Sequence, residues 1–158
     1  MTAQSDKPDV FREACNFIKP FEGLRLVAYK CEAGVWTIGW GHTKGVKEGQ
    51  TITRDKAEEF LMSDTKSFYD FVYQEVGLIC NKNQIIALTS FAFNLGNKSL
   101  KDSTLLKAIK ADPQNFTEIK KQFLRWDKLK KTVNGKTAYI SSAGLKSRRN
   151  KEFNKYKS

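Results

Sequence analysis

Apolar residues recur at helical spacing over residues 9 to 22, where Val10, Ala14, Phe17, Ile18 and Phe21 share one face. Asp9 stands where an N-cap belongs, so a first helix is expected. Pro20 removes a backbone donor and disfavours helix at Lys19, which predicts a kink or an early end just before Glu22. Residues 24 to 45 then lose the helical period. Their alternation, with turn residues at Glu32 to Gly34 and at Lys44-Gly45, predicts a small twisted hairpin or three-stranded sheet. Val46 to Ile52 reads as a polar connector.

Helical spacing returns at Thr53, a cap followed by the acidic Asp55. Ala57, Phe60, Leu61, Phe68, Phe71, Val72 and Val76 form a stripe to about residue 76. At about 1.5 Å per residue such a helix is on the order of 35 Å long, enough to join two lobes. Gly77 ends it. Asn81 to Asn83 supply caps for the next segment, Gln84 to Gly96, which is nearly apolar all round and is expected to form the core of the larger lobe. Further helices are expected at about 103 to 111, 115 to 130 and 142 to 156. Trp126 falls near the end of the second, and Asn134-Gly135-Lys136 marks a turn.

The 158 residues suffice for one compact unit built of two small lobes, roughly 1–60 and 77–158, joined by the helix at 53–76. The expected class is α+β and mostly α, with a cleft between the lobes. No apolar run approaches the roughly 20 residues that span a bilayer. The polar start, Met1 to Asp9, lacks the apolar core of a secretion signal, so cytoplasmic synthesis is expected. Cys15, Cys31 and Cys80 are odd in number and irregular in spacing, which suits neither a disulfide framework nor a zinc site.

Charge is uneven along the chain. Residues 1 to 80 hold 10 Lys+Arg against 12 Asp+Glu, whereas 81 to 158 hold 18 against 5. A cationic body of this kind attracts polyanions, whether nucleic acid, anionic lipid or bacterial wall, and it also serves solubility.

The candidate chemistry lies in residues 22 to 43. Eight residues separate Glu22 from Cys31, and five separate Cys31 from Thr37. A glycosidase needs a carboxylic acid to protonate the leaving oxygen and a polar group to handle water across the sugar. Glu22 suits the first task, and Cys31 with Thr37 the second. Taken singly, Glu22 reads as a solvated carboxylate at a helix end, Cys31 as a small buried hydrophobe and Thr37 as a branched strand residue. Their conjunction in a glycine-punctuated frame is what points to catalysis. Lys30 is expected to lower the Cys31 pKa, and Glu32 and Glu22 to raise it. Tyr29 and Trp36 read as packing aromatics.

The stretch resembles the phage-type lysozymes, or endolysins, of glycoside hydrolase family 24, whose frame is E-G-x-R-x-x-A-Y-x-(D/C)-x-x-G-x-x-T-I-G-x-G-H-T. Two later segments are also similar to that family: Gln84 to Gly96, as Q-x-x-A-L-x-S-F-x-F-N-x-G, and Gly144 to Glu152, as G-L-x-x-R-R-x-x-E. The resemblance implies Glu22 as general acid, Cys31 in the place commonly held by Asp, and Thr37 as holder of the attacking water. It implies Asn94 and Trp40 as substrate-binding residues, although Asn94 also reads as a helix-end cap. His42 and Asp64 are implied as a supporting pair, and one of Arg148 and Arg149 as a partner of the active-site carboxylate.

The implied activity is hydrolysis of the β-1,4 bond between N-acetylmuramic acid and N-acetylglucosamine in peptidoglycan. No metal or organic cofactor is implied, nor nucleic-acid binding or stable membrane insertion. A monomer, released to the wall by a holin-type partner, is expected. Three rival readings stand beside it: a lytic transglycosylase, a non-enzymatic cationic membrane-active protein using the basic helices from 115 onward, and a nucleic-acid-binding domain suggested by charge alone.

Overall fold

The computed structural model describes residues 9–158; the polar stretch before them, read above for the lack of a secretion signal, lies outside the described residues. The chain divides into two compact units, one ending at Asp70 and the other running from Phe71 to Ser158, and the boundary falls inside a long helix. Architecture is α+β and mostly helical. Among the described residues no helix is long and apolar enough to cross a membrane.

In the first unit, α1 (Val10–Glu22) begins at Asp9, whose side chain accepts from the Arg12 amide at 3.1 Å. It buries Ala14, Cys15 and Ile18. The helix does not end early: it runs through Pro20 to Glu22 and stops at Gly23, at φ 66°. Asn16, whose carbonyl loses its partner to Pro20, is exposed, as is Pro20 itself, so the missing bond lies on the solvent face where water replaces it. Glu22 is thereby held on the last turn of a rigid element.

Strands β1 (Arg25–Lys30) and β2 (Trp36–Gly39) pair antiparallel, with a register shift between Arg25 and Tyr29. Of the two expected arrangements the hairpin is the one that forms, and the segment read as a connector adds a short pairing beside it: the Ala28 amide donates to Gln50 O at 2.9 Å and the Ile52 amide to Leu26 O at 3.0 Å. Helix α2 (Arg54–Val76) starts at Thr53, whose hydroxyl accepts from the Lys56 amide at 3.1 Å. Ala57, Leu61, Val72 and Val76 of its stripe are buried.

The second unit is organised on α3 (Lys82–Leu95), which opens with a capping box between Asn81 and Gln84. Every residue from Gln84 to Ala92 is buried. Around it follow α4 (Asn97–Lys101), α5 (Thr104–Ala111), α6 (Phe116–Leu124) and α7 (Ala143–Lys157). Phe123 centres the core, with ring centroids at 5.9 Å from Phe91, 5.9 Å from Tyr156 and 6.2 Å from Phe153. Burying one such ring stabilises by about 1.5–3 kcal/mol, so this cluster supplies much of the unit's cohesion.

One expectation fails here. The helix read over 115 to 130 ends at Leu124, and residues beyond it form a second antiparallel hairpin, β3 (Lys128–Val133) with β4 (Lys136–Ser141). Its two-residue connection is Asn134-Gly135, with φ of 52° and 74°. Two successive positive φ values are the requirement of the turn that matches strand twist, and asparagine followed by glycine meets it at least cost.

Candidate active site

The hairpin β1–β2 continues into a tight loop closed by reciprocal bonds between Ile38 and His42, the amide of each donating to the other's carbonyl at 2.9 Å. Gly41 lies in this loop at φ 77°. A Cβ there would come within 2.7 Å of Glu22 Oε2 and 3.4 Å of its Cδ. The half-buried Glu22 carboxyl therefore rests on the bare backbone of Gly41, four residues beyond Thr37. A side chain at position 41 would occupy the place of the acid.

The loop is fixed from behind. The ring of His42, 7% exposed, stacks on Phe60 at 4.0 Å and 12°, and its Nδ1 lies 2.8 Å from Asp64 Oδ2. Phe60 and Asp64 sit one helical turn apart on α2, so one face of that helix grips both the flat of the ring and its edge. The single histidine thus supports the loop that carries Gly41.

Cys31 follows the end of β1, its amide donating to Val35 O at 3.0 Å. Backbone N–H groups, that of Val35 foremost and then that of Ala33, hold its thiol below the ordinary value, joined by the Thr37 hydroxyl and opposed by partial burial. Thr37 is buried, and its hydroxyl donates to Val35 O at 3.0 Å. Cys31 and Thr37 therefore meet across the hairpin end. The cause of the lowered pKa differs from the one expected: hydrogen bonds of the turn govern it rather than Lys30.

Trp40 is 4% exposed, with Lys19 Nζ 4.6 Å from the ring centroid and the Arg54 guanidinium at 5.7 Å, so its ring packs beneath the loop. Tyr29 and Trp36 lie under Arg25, at 4.5 Å, and Lys30, at 5.4 Å, respectively.

In the second unit, Asn94 on the last turn of α3 does not cap it, since Gly96 takes that place. Its Oδ1 instead accepts from Arg149 Nη2 at 3.0 Å. Arg149 also donates to Glu152 Oε1 at 2.6 Å, and Arg148 Nε reaches the same oxygen at 3.1 Å. The Ser90 hydroxyl donates to it at 2.9 Å. Burial pushes the Glu152 carboxyl up, against the pull of Arg149 and Arg148, and burial also pulls the Arg149 guanidinium down. Glu152 closes the family-like segment Gly144 to Glu152, and the resemblance implies no role for it. The signal was present: an acid three and four residues after two arginines lies on their helix face.

A mostly helical α+β chain, with a carboxylic acid on the final turn of its first helix and a hydroxyl and thiol on the hairpin that follows, belongs to the lysozyme-like class of glycoside hydrolases. The model of the family described as phage lysozyme matches residues 19–152. The chain belongs to that family. It is 38% identical, over 135 residues covering 85% of this chain and 88% of the other, to the endolysin of Acyrthosiphon pisum secondary endosymbiont phage 1. Among solved structures it is similar to the endolysin from Escherichia coli O157:H7 phage FAHEc1, with a TM-score of 0.81, 36% identity and coverage of 92% of this chain and 90% of that one. It is also similar to the muramidase domain of SpmX from Asticaccaulis excentricus, with a TM-score of 0.80, 30% identity and coverage of 96% and 99%.

Proposed function

We infer that the enzyme lyses bacterial cell wall as a muramidase, hydrolysing the β-1,4 bond between N-acetylmuramic acid and N-acetylglucosamine in peptidoglycan. Glu22 is the general acid: it delivers its proton to the glycosidic oxygen as the bond to the anomeric carbon breaks. Thr37 holds the water that adds to that carbon. Cys31 orients this water and, as thiolate, takes its proton; the Thr37 hydroxyl has one hydrogen, which serves Val35 O while Cys31 is a thiol and turns to the sulfur when the thiolate forms. Asn94 contacts the sugar chain through its amide.

The observation that carries this reading is the seat of the Glu22 carboxyl on Gly41, where only glycine leaves room for it. The carboxyl is half-buried at a helix end and approached by backbone, a setting that fixes its position for proton delivery. Cytoplasmic synthesis, release by a holin-type partner and a monomeric state complete the proposal. Lysis of purified peptidoglycan by wild type and by Glu22→Gln tests it. Turnover is expected to fall at least about a hundredfold, the low end for loss of a general acid. Near-normal hydrolysis by a folded Glu22→Gln protein would remove Glu22 from its role. Mass spectrometry of the products is expected to give reducing ends; anhydro ends would mean a transglycosylase.

A further inference from the structure

The hairpin β3–β4 is unusual for its exposure: all twelve of its strand residues are exposed. Side chains directly opposite one another share a face, and faces alternate along each strand. One face therefore carries Leu129 with Ile140, Lys131 with Ala138, and Val133 with Lys136. The other carries Lys128 with Ser141, Lys130 with Tyr139, and Thr132 with Thr137. Lys128 and Tyr139, of the second face, line a cavity of about 460 Å³ together with Leu95 and Trp126. The first face is turned away from that cavity. On it Leu129 is 46% exposed, Ile140 45% and Val133 57%, interleaved with two lysines. No acidic residue occurs from Lys128 to Lys151.

We propose that the Leu129, Val133 and Ile140 face of this hairpin docks on an anionic lipid surface, its apolar side chains entering the headgroup boundary while Lys131 and Lys136 meet the lipid phosphates. Charge complementarity selects an anionic partner, since the segment holds no carboxylate of its own and the neighbouring Asp127 pairs with Lys128, on the other face, at 2.8 Å. The apolar residues select among anions. A soluble polyanion engages lysines and leaves Leu129, Ile140 and Val133 in water, whereas a bilayer takes both, the lysine stems lying along the apolar boundary with their ammonium groups in the phosphate layer. Strand alternation puts both kinds of group on the same side, which a purely solubilising charge does not require. Extension of the sheet by a further strand along β3 is disfavoured by Lys128, Lys130 and Lys131 on that edge.

Co-sedimentation of the full chain with phosphatidylcholine vesicles, with and without phosphatidylglycerol, tests the proposal. Wild type is expected to bind the phosphatidylglycerol vesicles alone, less as salt rises. Removing two lysines in K131Q/K136Q should weaken binding about 25-fold, at about fivefold per lysine near such a surface. L129S/I140S should weaken it about tenfold while leaving binding to soluble polyglutamate unchanged. Equal vesicle binding by wild type and L129S/I140S would overturn the proposal and leave a general polyanion patch, and so would equal binding to neutral and anionic vesicles. The altered side chains are exposed, so melting temperatures should match wild type. Turnover on purified peptidoglycan, measured in the same preparations, is expected to be unchanged and keeps failure here separate from failure of the Glu22 assignment.

Discussion

Substituting alanine for Gly41 tests the seat of the acid without touching the acid. Two costs arise, and the structure separates them. The first is backbone: alanine at φ 77° loses roughly 1–2 kcal/mol relative to glycine, which for a chain of this size lowers Tm by about 2–8 °C. The second is local: the new methyl would meet Glu22 Oε2 at 2.7 Å, and the carboxyl, as the far end of a flexible side chain, yields before the backbone does. Misplacement of a reacting group by about 1 Å costs on the order of a hundredfold in rate, so Gly41→Ala is expected to lose tenfold or more in turnover on peptidoglycan. Gly45 supplies the control. It has φ 70° and nothing within 4 Å of an added Cβ, so Gly45→Ala carries the same backbone cost with no carboxyl to displace. The pair should melt at similar reduced temperatures and differ in turnover. Equal turnover of the two variants would refute the reasoning, because Glu22 would then work equally well away from its place on Gly41.

Two further perturbations address the thiol and the buried ion cluster. Cys31, lowered by the Val35 and Ala33 N–H groups and by Thr37, should alkylate with a pH midpoint below that of Cys80, pushed up to about 11 by burial, and below that of Cys15, also raised by burial; peptide mapping after labelling at neutral pH should find Cys31 modified first, and Thr37→Val should move its midpoint upward. Glu152→Gln takes from the fully buried Arg149 guanidinium the carboxylate it meets at 2.6 Å and is expected to cost about 3–5 kcal/mol in denaturant unfolding, a loss under about 1 kcal/mol showing that the cluster is not held by charge.

Residues that face a core were the legible ones. The apolar spacing of α1 and α2 marked Ala14, Ile18, Ala57, Leu61, Val72 and Val76, which are buried, the all-round apolar run of α3 marked its buried stretch, and Asp9, Thr53 and Asn81 each cap the helix they precede. The second hairpin was missed because none of its strand residues is buried, so no apolar period marks it, and its lysines and leucine suit helix as well. Asn134-Gly135 was the available sign and was read only as a turn. The pairing of His42 with Asp64, 22 residues apart, follows from family resemblance and not from spacing. The burial of Trp40 under Lys19 and Arg54 is likewise a matter of tertiary contacts that no local period records.

Each unit fixes one polar side chain through a chain of contacts that includes buried groups, His42 and Ile38 in the first and Arg149, Glu152 and Ser90 in the second. In the first, Asp64 and Phe60 hold His42, His42 closes the loop on Ile38, and the loop presents Gly41 beneath Glu22. In the second, Glu152 and Ser90 hold the arginines, and Arg149 holds Asn94. The second chain has a directional consequence. Arg149 can only donate, so the amide oxygen of Asn94 must face it, and the amide nitrogen, with its two hydrogens, is left to face away. The amide nitrogen of Asn94 is thereby set as a donor. Asn94→Asp would keep the contact with Arg149 and lose that donor, so the proposed contact with the sugar chain predicts a fall in peptidoglycan turnover with little change in melting temperature, and unchanged turnover would refute it.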